Sequence, residues 1–173
     1  MANQLKRTAI SISLFGETSV GKTCIVGVFI GLDFQEEHLS TIGIEKNNTV
    51  IDLETGERIK LKLWDTAGQE RFHCVSLNSL KNSQASVIVF DLTNKESFDR
   101  VIDWLKQIRE YSLKLPIGLF GNKSDLEGRK VTQEAVKSSS PSAEVSFSML
   151  PSSLVHTAFM PAIIALSHWF SRR

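Results

Sequence analysis

The feature that most constrains this chain is a glycine-bounded segment that lies between a strand-like run and a helix-like run. Residues 16–23 read Gly-Glu-Thr-Ser-Val-Gly-Lys-Thr, which matches the phosphate-loop pattern G-x-x-x-x-G-K-[ST]. Residues 10–15 before it alternate as in a strand, and residues 24–30 after it are mostly apolar, as in a buried helix. Such a loop gathers backbone N–H groups at a helix N-terminus, where the dipole is positive, so the segment predicts a phosphate site.

Two side chains of this loop have predicted roles of their own. Lys22 would reach the β and γ phosphates as a point charge, and the Thr23 hydroxyl would take one position on Mg²⁺. The residues predicted to contact phosphate here are Thr18, Ser19, Val20, Gly21, Lys22, Thr23 and Cys24.

Size and composition limit the remaining possibilities. At 173 residues with 42% hydrophobic side chains, the chain is predicted to form one domain over residues 1–173. A net charge of +1 gives no reason to expect nucleic acid or an anionic membrane as a default partner. The two cysteines, Cys24 and Cys74, lack metal-ligand spacing, and no signal peptide or membrane-spanning run is evident. We therefore expect a soluble, cytoplasmic protein.

The order of strand-like and helix-like segments predicts the architecture. Their alternation indicates an α/β fold with a mostly parallel six-stranded sheet and helices on both faces. Residues 48–53 and 58–64 are predicted to form a hairpin that supplies the one antiparallel edge strand. Residues 94–112 predict a helix capped by Thr93 or Asn94, with an apolar pattern that includes Ile102. Phe98, Trp104 and Phe120 are predicted to be packing residues. A helix over 132–137, a strand over 144–148 and a last helix ending near residue 170 complete the prediction.

A carboxylate and a glycine follow the second strand of the hairpin. Asp65 lies at the predicted carboxyl end of that strand, where it can hold Mg²⁺ through water. Gly68 has no side chain to keep its N–H away from the γ-phosphate. Gln69 comes next, and its amide can both accept from and donate to an attacking water. We therefore predict that Gln69 is the catalytic residue.

The segment Asn122-Lys123-Ser124-Asp125 predicts which base is bound. The carboxylate of Asp125 can accept hydrogen bonds from N1–H and the N2 amino group of guanine, and adenine offers neither donor. The stem of Lys123 can lie over the base. Asn122 is predicted to tie this loop to the phosphate loop. Ser148, Met149 and Leu150 end a strand where a base-capping loop is needed, which is a weaker signal.

Thr41 closes the polar loop after the first helix. Its hydroxyl can bind Mg²⁺ while its N–H contacts the γ-phosphate, which would order the loop only in the triphosphate state. The predicted metal ligands are therefore Thr23, Thr41 and Asp65.

Taken together, these motifs make the chain resemble a small GTPase of the Ras superfamily, and the run Trp64-Asp-Thr-Ala-Gly-Gln-Glu-Arg-Phe72 is most similar to the Rab family. The resemblance implies a P-loop NTPase G domain that binds GTP and GDP with Mg²⁺, hydrolyses GTP slowly and regulates vesicle transport. It implies a monomer whose partners are an exchange factor, effectors that bind the GTP state and an activating protein that supplies an arginine in trans. By motif alignment, Phe34 would lie against the guanine. The effector face implied by the resemblance consists of Ile42, Gly43, Trp64 and Phe72.

The chain departs from the Rab pattern at several positions. Lys46 stands where Rab proteins usually have an aromatic residue, and Ser79 and Leu80 replace a tyrosine pair. Of the aromatic trio that many Rab effectors contact, only Trp64 remains. The tail ending at Arg173 has no prenylated cysteines, so we expect either a shortened chain or an unlipidated protein, with membrane contact only through a lipidated tail. Thr18 occupies a position that is glycine in Ras, where it could crowd an incoming arginine.

Two alternatives to a Rab-like switch stay open at this stage. A pseudo-GTPase would use the same fold as an interaction module. The altered Met149-Leu150 and the unusual effector face favour this alternative, whereas four intact residues oppose it: Lys22, Thr23, Thr41 and Gln69. A Ras- or Rho-like signalling role also remains, because the effector aromatics are reduced. Hydrolysis of bound GTP and capture of GTP-state partners would separate these functions.

Overall fold

The computed structural model describes residues 9–33, 41–52, 58–68, 76–139 and 145–149. Six strands, four α-helices and one 3₁₀ helix have defined bounds within these ranges. In chain order they are β1 (Ala9–Phe15), α1 (Lys22–Phe29), β2 (Ile44–Asp52), β3 (Arg58–Thr66), the 3₁₀ helix (Asn78–Asn82), β4 (Ala85–Asp91), α2 (Lys95–Asp99), α3 (Val101–Tyr111), β5 (Ile117–Asn122), α4 (Gln133–Ser139) and β6 (Val145–Met149). Outside the described residues lie the predicted last helix, Cys74 and four residues with predicted roles, namely Phe34, Gln69, Phe72 and Leu150.

The strands form one sheet in the order β2-β3-β1-β4-β5-β6. Every neighbouring pair is parallel except β2 and β3, which are antiparallel. This confirms the predicted α/β class with a single antiparallel edge strand. The hairpin strands are longer than predicted, because β2 begins four residues earlier, at Ile44, and β3 continues to Thr66.

Alternation along β4 divides the core between the two faces of the sheet. Val87 and Val89 pack with residues of α1, such as Ile25, in one apolar cluster. Ile88 and Phe90 pack with residues of α3, such as Trp104, in the other. Because neighbouring side chains of a strand point to opposite faces, these two clusters place helices on both sides of the sheet, as predicted.

The helix predicted over 94–112 is two helices, with Arg100 between α2 and α3. Asn94 caps the first of them, and its side-chain oxygen accepts a hydrogen bond from the N–H of Glu96 at 3.0 Å. Ile102 is 46% exposed, so its place in the apolar pattern was wrong. It follows Val101 by one residue, which turns it by about 100° away from the buried stripe.

The carboxyl ends of the parallel strands β1, β3, β4 and β5 meet at one edge of the sheet, where ligands bind in open α/β sheets. The segments that follow these ends carry the predicted site. Toward the C-terminus, α4 and β6 lie within one or two residues of their predicted bounds. Within the described ranges, no helix has the length and apolar character needed to cross a membrane.

Candidate nucleotide site

The phosphate loop joins the end of β1 to the start of α1 through backbone conformations that turn it tightly. Ser19 has φ 62° and Gly21 has φ 94°, both in the left-handed region. Left-handed residues in such a loop turn successive N–H groups toward one point and create a concavity that binds anions. At Gly21, a side chain would collide with the amide of Asn122, so the close approach requires glycine.

Lys22 carries its charge into the floor of this loop. Its side chain is only 6% exposed, and Nζ donates hydrogen bonds to the carbonyl oxygens of Gly16 and Glu17, each at 2.8 Å. Burial lowers the pKa of Lys22 to about 8, although the negative charges of Asp65 and Glu17 counteract part of that effect. The ammonium is therefore costly to keep charged in this position, and a bound phosphate would stabilise it.

The three residues predicted to hold a metal ion lie together. Thr23 Oγ1 donates to Asp65 Oδ2 at 2.6 Å and lies 3.0 Å from Thr41 Oγ1. Because Thr23 gives its hydrogen to the carboxylate, the Thr41 hydroxyl is the donor in the second contact. Two hydroxyls and one buried carboxylate form a set of hard oxygen donors, which is the chemistry that Mg²⁺ prefers. The residues present therefore fit this ion.

Gly68 brings the segment after β3 against the phosphate loop. A Cβ atom at this position would lie 2.5 Å from the backbone nitrogen of Thr18 and equally close to the carbonyl carbon of Glu17. Only glycine permits this approach, which places the Gly68 backbone beside the predicted phosphates. Ala67 N also donates to Gly43 O at 2.9 Å, so the segments around Thr41 and Gly68 contact each other.

The guanine side of the site is connected to the phosphate loop by a buried amide. Asn122 Nδ2 donates to the carbonyl oxygen of Val20 at 2.9 Å, as predicted. Lys123 follows with φ 60°, and its Nζ lies 2.8 Å from Asp91 Oδ2. Asp125 is exposed. These positions agree with the predicted order of the base loop, whereas contact with the base stays a prediction.

Two of the three predicted base-capping residues belong to the neighbouring strand. Ser148 and Met149 lie in β6, and Met149 is paired with Gly121 of β5. Gly121 directly precedes Asn122, so β6 ends beside the base loop. The backbone of Met149 therefore lies next to the strand that leads into the base loop, and its capping role stays a prediction.

Residues 11–166 match the model of the Ras family. The chain belongs to the Ras family. Its relatives include human Ras-related protein Rab-37, 40% identical over 69% of this chain, and Caenorhabditis elegans Ras-related protein Rab-10, 38% identical over 76% of it. Bos taurus Ras-related protein Rab-13 is 38% identical over 70% of the chain. The chain spans 54%, 65% and 60% of the lengths of these three relatives. These matches confirm the resemblance to Rab proteins.

The predicted effector face of this Ras-family chain is partly described. Ile42 is 84% exposed, next to Gly43, whose φ is 78°. Trp64 is half-buried, and the Lys46 Nζ lies 5.3 Å from the centre of its ring. This distance is within the range of a cation–π contact.

Ser79 and Leu80, which replace the Rab tyrosine pair, do not take part in this surface. They are 2% and 3% exposed, and the Ser79 hydroxyl donates to Ser76 O at 2.7 Å. At the two positions where the Rab pattern predicts tyrosines, this chain therefore has a buried serine and a buried leucine.

Sequence reasoning missed two residues that position the site. Asp91 accepts hydrogen bonds from the N–H and hydroxyl of Thr93, at 2.8 and 2.7 Å, in addition to its pair with Lys123. Burial raises the pKa of Asp91, but the hydrogen bonds from Lys123 and Thr93 outweigh it, so the pKa lies below its usual range. A charged residue at the end of an otherwise apolar strand was the available signal.

The second missed residue is Glu17, inside the phosphate loop. Its Oε1 accepts a hydrogen bond from Trp104 Nε1 of α3 at 3.2 Å. The Trp104 ring also packs on Phe15 with ring centres 5.6 Å apart. The predicted packing role of Trp104 is confirmed, and it includes support of the loop itself.

Proposed function

We propose that this Ras-family chain is a Rab-like guanine-nucleotide switch that binds GTP and GDP with Mg²⁺, hydrolyses GTP slowly and regulates vesicle transport. One observation carries the proposal: the Thr23 hydroxyl lies within 3.0 Å of both the Thr41 hydroxyl and the Asp65 carboxylate. This group of oxygens follows the buried Lys22 directly. A donor set contributed by three separate segments at the end of a phosphate loop suits a nucleotide whose terminal phosphate changes.

The phosphate side of the proposal assigns one task to each group. The N–H groups of residues 18–24 bind phosphate oxygens, and Lys22 places its ammonium on the β and γ phosphates. Thr23, Thr41 and Asp65 would hold Mg²⁺, which when bound neutralises charge on the phosphate oxygens. Gly68 offers its N–H to the γ-phosphate. Gln69 orients the attacking water and is the proposed catalytic residue.

The base side explains why guanine is favoured. Asp125 accepts two hydrogen bonds from guanine that adenine cannot donate, and a site built on such bonds can reject the analogue that lacks the donors by about 10⁴ to 10⁵. Lys123, held by Asp91, lies over the base. In the base-capping segment Ser148-Met149-Leu150, the backbone N–H of Met149 donates a hydrogen bond to the guanine O6. Phe34 contacts the base from the polar loop.

The switch is proposed to depend on protein partners. Residues 33–45 contain no arginine, so an activating protein would supply one in trans and raise the rate by about 10³ to 10⁵. An exchange factor would release GDP, and effectors would bind the GTP state at Ile42, Gly43, Trp64 and Phe72. We further propose a monomeric, single G domain that works in the cytoplasm and on cytosolic membrane faces through a lipidated tail.

Two measurements test the proposal. The first is equilibrium binding of fluorescent GDP, GTP and ATP in Mg²⁺ and in excess chelator. We expect tight binding of the guanine nucleotides only, weakened by the chelator. Equal affinity for ATP would contradict the proposal.

The second measurement is single-turnover hydrolysis of preloaded GTP by the native chain and by Gln69→Leu. We expect a slow rate that this substitution lowers by at least tenfold, since water positioning contributes about 10² or more in related chemistry. A chain that binds GTP and never hydrolyses it would be a pseudo-GTPase instead.

A further inference from the structure

The outer face of the β2–β3 hairpin is a basic surface that belongs to neither apolar cluster. Cross-strand neighbours on this face are Lys46 with Trp64, Asn48 with Lys62 and Val50 with Lys60. None of these six residues is among the buried or packed members of the two cores. We call Lys46, Lys60 and Lys62, together with Trp64, the basic face.

The lysines of the basic face have no carboxylate partner within the described ranges. Lys46 and Lys60 are exposed and Lys62 is half-buried, and no ion pair joins them to a described acidic residue. At the far end of the hairpin, Arg58 and Asp52 form their own pair at 2.7 Å. The unpaired positive charge therefore lies between the Asp52–Arg58 pair and Trp64.

The lysines are close enough to act as one unit. Lys60 and Lys62 are two residues apart on β3, a distance of about 7 Å along a strand. Lys46 is diagonal to Lys62 across the pair, at about 7 to 8 Å. Like charges at this spacing repel one another, so an anionic partner is favoured at this surface.

Lys46 also changes what Trp64 can bind. With the ammonium 5.3 Å from the ring centre, an apolar side chain that approaches this ring face must displace a cation. A carboxylate can instead pair with the ammonium while its methylene groups contact the uncovered part of the ring. Trp64 is half-buried, so part of its ring offers apolar surface at this face.

We infer that the basic face docks an extended acidic segment of a partner protein, with carboxylates at alternate positions. Alternate residues of an extended segment are about 7 Å apart, which matches the lysine spacing. A protein segment is favoured over an anionic membrane because lipid-binding clusters have about four to eight basic residues. The exposed Val50 beside Lys60 adds apolar surface that also suits a peptide.

The basic face is next to the nucleotide site. Trp64 directly precedes Asp65, and Ile44 of β2 is paired with Thr66 of β3. If Thr41 responds to the terminal phosphate, the GTP form should bind the acidic segment more tightly than the GDP form. This state dependence, unlike the charge match itself, rests on the proposed function.

The test uses the full chain and a fluorescein-labelled dodecapeptide of alternating glutamate and serine. The basic-face variant carries Lys46→Gln, Lys60→Gln and Lys62→Gln. We expect its peptide affinity to be about tenfold or more below that of the native chain, because three charge pairs are removed. The native affinity should fall as salt is raised, and a peptide with glutamine in place of glutamate should not bind.

A control variant with equal charge loss carries Lys106→Gln, Lys114→Gln and Lys130→Gln, at exposed positions on the β4–β5 side of the sheet. Its peptide affinity should stay within about twofold of the native value. Equal losses in the two variants, equal binding of the glutamine peptide, or binding of phosphatidylserine vesicles without peptide binding would each overturn the inference.

Nucleotide binding, measured on the same samples, separates this inference from the proposed function. A basic-face variant that binds GDP normally and loses the peptide supports both. A native chain that binds the glutamate peptide but not the glutamine peptide, and that binds no guanine nucleotide, supports the docking of an acidic segment on the basic face and rejects the proposed function. A native chain that binds guanine nucleotide but not the peptide rejects only the docking surface.

Discussion

The buried ammonium of Lys22 predicts how nucleotide affinity depends on pH. Burial lowers its pKa from 10.5 to about 8 in the nucleotide-free site. Phosphate oxygens beside Nζ favour the charged form and should return the pKa to 10.5 or above. Binding above pH 8 therefore requires uptake of a proton, so affinity is complete below pH 8 and is lost as pH rises.

The magnitude follows from the fraction of free protein in which Lys22 is uncharged. With a pKa of about 8, Lys22 is charged in about nine tenths of the free protein at pH 7 and in about one tenth at pH 9. Because only the charged form is ready to bind, Kd for GDP should rise about tenfold between these pH values, or about 1.4 kcal/mol. Proton uptake on binding should rise from about 0.1 to about 0.9 over the same range.

Isothermal titration calorimetry at fixed Mg²⁺, in buffer pairs of different ionisation enthalpy, measures both quantities. Lys22→Arg is the matched control, because a guanidinium stays charged throughout this range. Whatever its absolute affinity, the Kd of that variant for GDP should not change with pH through the titration of residue 22. A Kd that is equal at pH 7 and pH 9, with no proton uptake in the native chain, would refute the reasoning.

Three further substitutions test contacts around the site. Asp91→Asn removes a partly buried pair with Lys123, and GDP should dissociate about fivefold faster by stopped-flow fluorescence, whereas Asp99→Asn, which breaks an exposed pair, should have no effect. Gly68→Ala forces a methyl group against the Glu17–Thr18 backbone, so hydrolysis should fall while GDP binding persists, and unchanged hydrolysis would argue against this approach. Trp104→Phe removes a partly buried hydrogen bond and leaves a cavity, so urea unfolding should show a loss of about 1 to 3 kcal/mol in the free energy of unfolding. No loss would mean that the contact with the phosphate loop does not contribute to stability.

The parts of the site that sequence reasoning predicted are those in which a short motif follows a strand. The phosphate loop follows β1, Asp65 is the second-last residue of β3 and Asn122 is the last residue of β5. Parallel strands bring such ends to one edge of the sheet, so their convergence follows from topology alone. The α/β class and the hairpin were predictable for the same reason, since the periodicity of the apolar residues and the polar turn are local signals.

The contacts that were missed depend on pairing register and on residues distant in sequence. Trp104 contacts Glu17 across 87 residues. Asp91 meets Lys123 because Asp91 is paired with Asn122 in the β4–β5 ladder. A one-residue change of register would move either strand's side chains to the opposite face. Because β4 and β5 are buried on both faces, their residues do not alternate between apolar and polar, so the local pattern does not specify the register. The break between α2 and α3 likewise occurs without a proline or glycine to predict it.

These distant contacts join the two halves of the site into one structure. Asn122 holds the phosphate loop at Val20 from the base side, and Trp104 holds it at Glu17 from the sheet face that α3 covers. The loop between these anchors contains the strained left-handed Ser19, a conformation that costs about 1 to 3 kcal/mol and persists only where its surroundings enforce it. Loosening either anchor should therefore let the loop relax and misplace the N–H groups that bind phosphate. A change at the base loop would in this way weaken phosphate binding without touching any phosphate ligand.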